Sequence, residues 1–219
     1  MTFDFAVIID HLPLLLQGTG VTIAVSLLSI LLATVLGIPL SLLRLAQNKY
    51  VRGISFAYIW VMRGTPLLLV LYFIYFAGPT FGVRMPAFLS AVVGITLVST
   101  AYMAEIFRAG VQAVPKGQID AANAIGMGYV LRMRRVVLPQ AIKIIVPPYV
   151  SNCTLMVKDS ALVSVITVSD LMLTSTQIIS STFRAFEILA TAGLIYLILT
   201  SVLMAIQSYS EKNFAVSAR

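Results

Sequence analysis

The stretch Pro115–Pro139, PKGQIDAANAIGMGYVLRMRRVVLP, is the longest polar interruption between two apolar blocks of the chain. Four of the fifteen Lys/Arg residues lie in it (Lys116, Arg132, Arg134 and Arg135), and Arg108 stands just upstream. Gln118–Val130 reads as a short helix of good helix formers, with small residues at Ala121, Ala122 and Ala124 that let another surface approach closely. Gly126 and Gly128 break or bend it. Leu138-Pro139 closes the stretch at the start of the next apolar run, where proline is tolerated in a first helical turn. Taken alone, the pattern describes a helix lying under a membrane. A partner surface or the lipid surface itself could take it.

Outward from this stretch the chain is apolar. Of its 219 residues, 59% are hydrophobic and 11% charged, and the mean hydropathy is +0.98. A soluble domain carries roughly 25% charged residues, so the expectation is an all-α integral membrane protein with about five spans of roughly 20 residues and no sizeable soluble domain. The net charge of +7 does not point to nucleic acid, because the basic residues sit between apolar runs and set membrane orientation. The single cysteine, Cys153, excludes an intramolecular disulfide and a CxxC metal site. A lone His11 predicts no metal site. The N-terminal MTFDFAVIIDHLP has no Lys or Arg, so it lacks the basic start of a cleavable signal peptide.

The expected organisation is one transmembrane domain over residues 1–219, with spans near 18–43, 53–77, 86–112, 140–162 and 187–209. Residues 12–43 are uncharged and exceed one crossing; Pro13 and Gly18-Thr19-Gly20 predict a break before the first span. Ser160–Phe186 reads as the end of span four plus a re-entrant or surface helix, not a further crossing. With the N-terminus outside and the C-terminus cytoplasmic, the inner segments hold Arg44, Lys49, Arg52, Arg108, Lys116, Arg132, Arg134, Arg135, Lys143, Lys212 and Arg219. The outer ones hold Arg84, Lys158 and Arg184. That asymmetry of eleven against three places Pro115–Pro139 in the cytoplasm.

Asp120-Ala121-Ala122, Gly126 four residues on, then Val136-x-Leu138-Pro139 closely resembles the EAA loop of ABC importer permeases, departing only by Asp for Glu and Val for Ile. Further stretches resemble the polar amino-acid subfamily in the same order: Arg63-Gly64-Thr65-Pro66-Leu67-Leu68, Ala101-Tyr102-x-Ala104-Glu105-Ile106-x-Arg108-Ala109-Gly110, Val114-Pro115-Lys116-Gly117-Gln118, and Lys158-Asp159-Ser160-Ala161-Leu162-Val163. The resemblance implies a type I permease fold with a five-helix core, paired with an identical or homologous second permease subunit. It also implies two cytoplasmic ABC ATPase subunits and an extracytoplasmic solute-binding protein, in a bacterial cell membrane. Gly117, Asp120, Ala121, Ala122, Gly126, Leu138 and Pro139 would couple to the ATPase. The chain has no GxxxxGK[ST] phosphate loop, so it is expected to hold no cofactor, with ATP and Mg²⁺ on the separate ATPase.

Ionisable residues inside spans mark pathways or partner contacts. Arg63 and Glu105 lie at similar depth, and the expectation is that they pair at the inner gate. Lys158 and Asp159 are a second candidate pair or gate. Ser99 and Thr100 on span three and Ser151, Asn152, Cys153 and Thr154 on span four are the candidate solute path. In subfamily members that handle cationic amino acids, the resemblance implies an Asn at the position of Val98 and a Glu at that of Cys153. Their absence here favours a neutral or small polar solute. Arg84, Asp170 and Arg184 are candidates for docking the solute-binding protein. An ion-coupled secondary carrier is the alternative function, and it leaves the cytoplasmic stretch unexplained. A membrane enzyme ranks below it for want of any nucleophile–base–acid set.

Overall fold

The structure is a computed structural model describing residues 4–214; Arg219, one of the inward charges above, lies outside the described residues. Helix α1 (Phe5–Leu45) runs unbroken for 41 residues, about 60 Å at the usual rise and twice a bilayer core. It is followed by α2 (Lys49–Gly64) and α3 (Leu67–Tyr72), then a π turn and a short 3₁₀ turn ending at Phe81. Next come α4 (Ala87–Gln112), the short α5 (Lys116–Ala124) and α6 (Tyr129–Arg132). A π turn joins α6 to α7 (Leu138–Asp159), a 3₁₀ segment leads to α8 (Leu171–Thr182), and α9 (Ala185–Phe214) ends the described chain. Among the described residues three helices are long and apolar enough to cross a membrane, or up to five if each bent pair counts as one span.

α1 shows how the bundle is held. Its buried positions, among them Gly18, Thr22, Ser26, Ser29, Ala33, Gly37 and Ser41, are small and recur every three or four residues. Most of its leucines, such as Leu27 and Leu31, point outward, whereas Leu15 packs in a buried cluster with Leu171 and Ile188. In lipid there is no hydrophobic drive between helices, so small residues at the interface let backbones approach and gain van der Waals contact. Here they seat α1 along α4: Ser29 Oγ reaches Val92 O at 3.4 Å, and a Cβ on Gly37 would stand 2.8 Å from Met103 Cβ.

The expected break near residues 18–20 is absent. Gly18 serves close approach instead: a Cβ there would lie 2.9 Å from the backbone oxygen of Asp170 at the start of α8. Gly18→Val is therefore expected to push α8 off α1 and destabilise the purified protein by about 1–3 kcal/mol, the usual cost of overpacking. Thermal unfolding in detergent, with Gly20→Val as the control at an open position, checks this.

Both interrupted spans have local causes. At α2–α3 the chain turns by 101°. Pro66 cannot donate to the ladder and drives the residue before it out of the helical region; Thr65 sits at φ −99°, ψ 131°. At α7–α8 the bend is 52°, and Thr167, a β-branched residue, has φ 66°. α8 has 12 residues, about 18 Å and too short to cross a bilayer core by itself. Its amides need acceptors inside the bundle. Asp170 supplies one as N-cap, accepting from Leu173 N at 2.9 Å, while Thr22 Oγ1 accepts from Leu171 N at 3.1 Å. Asp170 is fully buried, which corrects its reading as an outer docking residue. Arg184 lies closer to that description, half exposed and 3.9 Å from Asp4.

Candidate functional site

Two features stand out, a loop on one side of the bundle and a cavity at the kinks. The loop is built from α5, a turn, α6 and the start of α7. Ala122 is 4% exposed and, with the partly buried Ile119, turns one face of α5 toward the cluster of Val114, Val137 and Ala141. The opposite face leaves Gly117, Asp120, Ala121 and Ala124 exposed, a small-residue strip at helical spacing. Ala122, expected to meet a partner, thus packs inward and anchors the helix from behind.

Gly126 has φ 76°. Its N–H donates to Asn123 O at 2.9 Å, and Met127 N–H donates to Ala122 O at 3.0 Å. These are the two bonds of a Schellman ending, which places a left-handed residue one position past the helix cap. So the glycine of the motif is required by the backbone. The helix is shorter than expected, ending at Ala124, and Arg132 ties the returning chain to α5 through Asn123 Oδ1. Ile125, Tyr129 and Val130 are exposed beyond the turn. Leu138 and Pro139 are exposed at the start of α7.

The cavity, about 520 Å³, is bounded by the Arg63–Leu67 kink, by Val98, Ser99 and Tyr102 of α4, and by Asn152, Met156 and Asp159 of α7. Of the expected path residues it takes Ser99 and Asn152. Thr100, Cys153 and Thr154 are buried elsewhere in the bundle, with Thr154 Oγ1 bonded to Val150 O at 3.0 Å, and Ser151 is exposed away from it. Helical geometry decides this: residues that follow one another on α7 point about 100° apart, so a run of four polar residues cannot share one wall. Cys153 packs in the main core cluster, so its contrast with a carboxylate does not bear on the cavity lining.

The charges are arranged otherwise than expected. Glu105 accepts from Arg108 Nη2 at 2.7 Å and from Arg44 Nε at 3.3 Å, not from Arg63. Arg108 is three residues along the same helix, where side chains meet, and Arg44 arrives from the last turn of α1. Arg63 instead lies over the Tyr102 ring, 5.1 Å from its centroid. Lys158 and Asp159 make no ion pair with one another; being adjacent on a helix they diverge, and only Asp159 lines the cavity. Among the described residues neither Arg63 nor Asp159 has an opposite-charge partner, and Asn152 Nδ2 is buried without a hydrogen bond. Sequence reasoning placed Arg63 and Asp159 as pairing residues and missed that they face one cavity. The Gly64-Thr65-Pro66 kink was the available signal. No three His, Cys, Asp or Glu side chains converge on a possible metal site among the described residues.

Residues 29–216 match the family described as binding-protein-dependent transport system inner membrane component. The nopaline transport system permease protein of Agrobacterium fabrum is 35% identical over 219 residues, covering 95% of this chain and 90% of that protein. The arginine transport system permease protein of Bacillus subtilis is 38% identical over 214 residues, covering 97% and 98%. A solved structure described as an amino acid ABC transporter with histidines superposes with a TM-score of 0.92 at 37% identity, covering 97% of this chain and 100% of its own.

Proposed function

The chain belongs to the binding-protein-dependent transport system inner membrane component family, and from that premise we propose that it passes an amino acid across the membrane through the cavity between Arg63 and Asp159. The observation that carries this is one cation and one carboxylate, each without a partner of opposite charge among the described residues, facing one cavity of about 520 Å³. That is the complement of an α-amino acid, with its carboxylate toward Arg63 and its ammonium toward Asp159. Asn152 Nδ2 is a further unused donor beside them. Ionisable groups left without partners inside a span are costly and mark a pathway. The remaining lining has the hydroxyls of Thr65, Ser99 and Tyr102 among apolar side chains such as Leu67, Leu155 and Leu162, which suits a neutral or small polar solute side chain. The relatives named for arginine and nopaline make the cationic alternative worth testing directly.

As the permease component of an ABC importer the chain lacks an ATPase site, and hydrolysis belongs to a separate ATP-binding subunit with its ATP and Mg²⁺. We propose that two permease subunits, identical or homologous, form the membrane dimer, with an ATPase docked at the exposed Gly117–Ala124 face and a solute-binding protein on the far side. The excess of Lys/Arg on the loop side supports an outer N-terminus and a cytoplasmic loop. In vesicles containing permease, ATPase and binding protein, uptake is expected to require ATP, and L-glutamine to compete for it better than L-arginine. Uptake driven by an ion gradient with the ATPase absent would overturn the importer reading, and stronger competition by arginine would overturn the neutral-solute reading.

A further inference from the structure

A second cavity, about 340 Å³, opens beside the first and shares Arg63, Gly64 and Tyr102 with it. Its other chemically distinctive walls are Arg44, Phe56, Trp60 and Glu105. Along α4 the shared Tyr102 stands between Ser99 of the first cavity and Glu105 of the second, two wall residues roughly 9 Å apart at the helical rise. The second cavity lies toward the coupling loop: Leu45, the last residue of α1, with Ala46 and Gln47 after it, borders the same apolar groove as Tyr129 and Arg132, and Arg44 immediately precedes them.

We propose that this inner cavity is a release site for the solute, holding its carboxylate between Arg63 and Arg44 after it leaves Asp159; this deepens the reading of the first cavity and rests on it. Three observations carry the inference. The lining has two guanidiniums against one carboxylate, and that carboxylate is already shared by Arg44 and Arg108 at 3.3 and 2.7 Å. A net positive hole therefore remains, suited to an anionic group. The Arg44 guanidinium lies 5.1 Å from the Phe56 ring centroid and that of Arg63 5.1 Å from the Tyr102 ring centroid, so each cation sits over an aromatic ring; Arg44 gives its Nε to Glu105 and keeps its two terminal nitrogens for a second acceptor. Arg63 borders both cavities, so the carboxylate can pass without a step in which it is unpaired. The ammonium, by contrast, loses Asp159 and meets a carboxylate shared between two arginines. Binding here is accordingly weaker than above, as release requires.

The chain's one tryptophan, Trp60, is in the wall of this cavity and 69% exposed, so its fluorescence reports on it. The assembled permease–ATPase complex is titrated with the standard amino acids, L-glutamine first, and the Trp60 signal is taken as the difference from a Trp60→Phe complex. Binding of the radiolabelled amino acid is measured in parallel. A saturable Trp60 response is expected. Arg44→Gln should raise its half-saturation by at least about tenfold, as for loss of a charge-assisted bond. Glu105→Gln should lower it by about threefold, because it frees Arg44 from a competing carboxylate. Opposite directions exclude a merely structural role, and they protect the test against a misfolded single variant. The proposal is overturned by radiolabelled binding without a Trp60 response, by shifts of the same sign in both variants, or by saturation with phosphatidylglycerol vesicles instead of an amino acid. Absence of radiolabelled binding for every amino acid would instead overturn the function proposed for the first cavity.

Discussion

Gly126→Asp is expected to leave the protein inserted in the membrane at normal abundance while ATP-driven uptake falls by at least about tenfold, a loss of roughly 1.4 kcal/mol or more in productive coupling. The reasoning separates two effects of the substitution. A side chain in the left-handed region costs about 1–2 kcal/mol for most residues and less for Asp or Asn, too little to unfold a bundle held by α1, α4, α7 and α9. Nor does the chain itself obstruct the side chain, since a Cβ at Gly126 meets nothing within 4 Å. What the new carboxylate would meet lies outside the chain, at the exposed end of the helix that also exposes Gly117, Asp120 and Ala121. It adds a second negative charge to a loop that already carries Asp120 and fills an approach that the glycine leaves open. Gly126→Asn has nearly the same volume and tolerance of positive φ without the charge, and should retain more transport. Membrane abundance, ATPase co-purification and uptake in vesicles check the set. Uptake by the Asp variant within about twofold of wild type, a coupling change of only some 0.4 kcal/mol, would remove the loop from the coupling role.

Much of this architecture was legible in the chain. Length and hydropathy pointed to an all-helical membrane chain of about five spans, and the Ser/Thr-rich tract after Asp159, carrying Asp170 and Arg184, read as a re-entrant or surface helix; α8 there has 12 residues. Gly126 and Pro139 marked the loop's turn and exit. What was not legible depends on which way a helix faces. Gly18 reads equally as a break or as a close contact, and only the position of α8 against α1 decides it. Depth along a span put Arg63 beside Glu105, and both do line the inner cavity. Yet depth carries no azimuth, and Arg44, distant in sequence, took the carboxylate first. Asp170 looked like a surface charge because its partners are a backbone amide of its own helix, which leaves no mark in composition, and the hydroxyl of Tyr196, 26 residues on. The polar run Ser151–Thr154 was read as one wall, although successive residues on a helix turn to different neighbours.

Asp159→Asn is expected to raise the half-saturating solute concentration for uptake by about 10- to 100-fold, the range for losing a charge-assisted hydrogen bond worth roughly 1.5–3 kcal/mol. Asp159 has no structural duty to lose with its charge: it makes no ion pair or hydrogen bond among the described residues and is exposed to the cavity. Glu105 differs in holding α1 to α4 through Arg44, so its loss would mix stability with transport. Thermal stability should therefore stay unchanged in Asp159→Asn while transport falls. Arg63→Gln should give a comparable loss through the other end of the solute, with one difference that identifies the ends. A solute analogue lacking the carboxylate, such as the corresponding amine, should lose its disadvantage against the amino acid in Arg63→Gln but keep it in Asp159→Asn. An analogue lacking the ammonium should show the reverse. Competition for uptake by the two analogues across the two variants measures this crossed pattern. If both analogues lose the same factor in both variants, the two charges act on the bundle and not on the solute, and the amino-acid geometry assigned to the cavity fails.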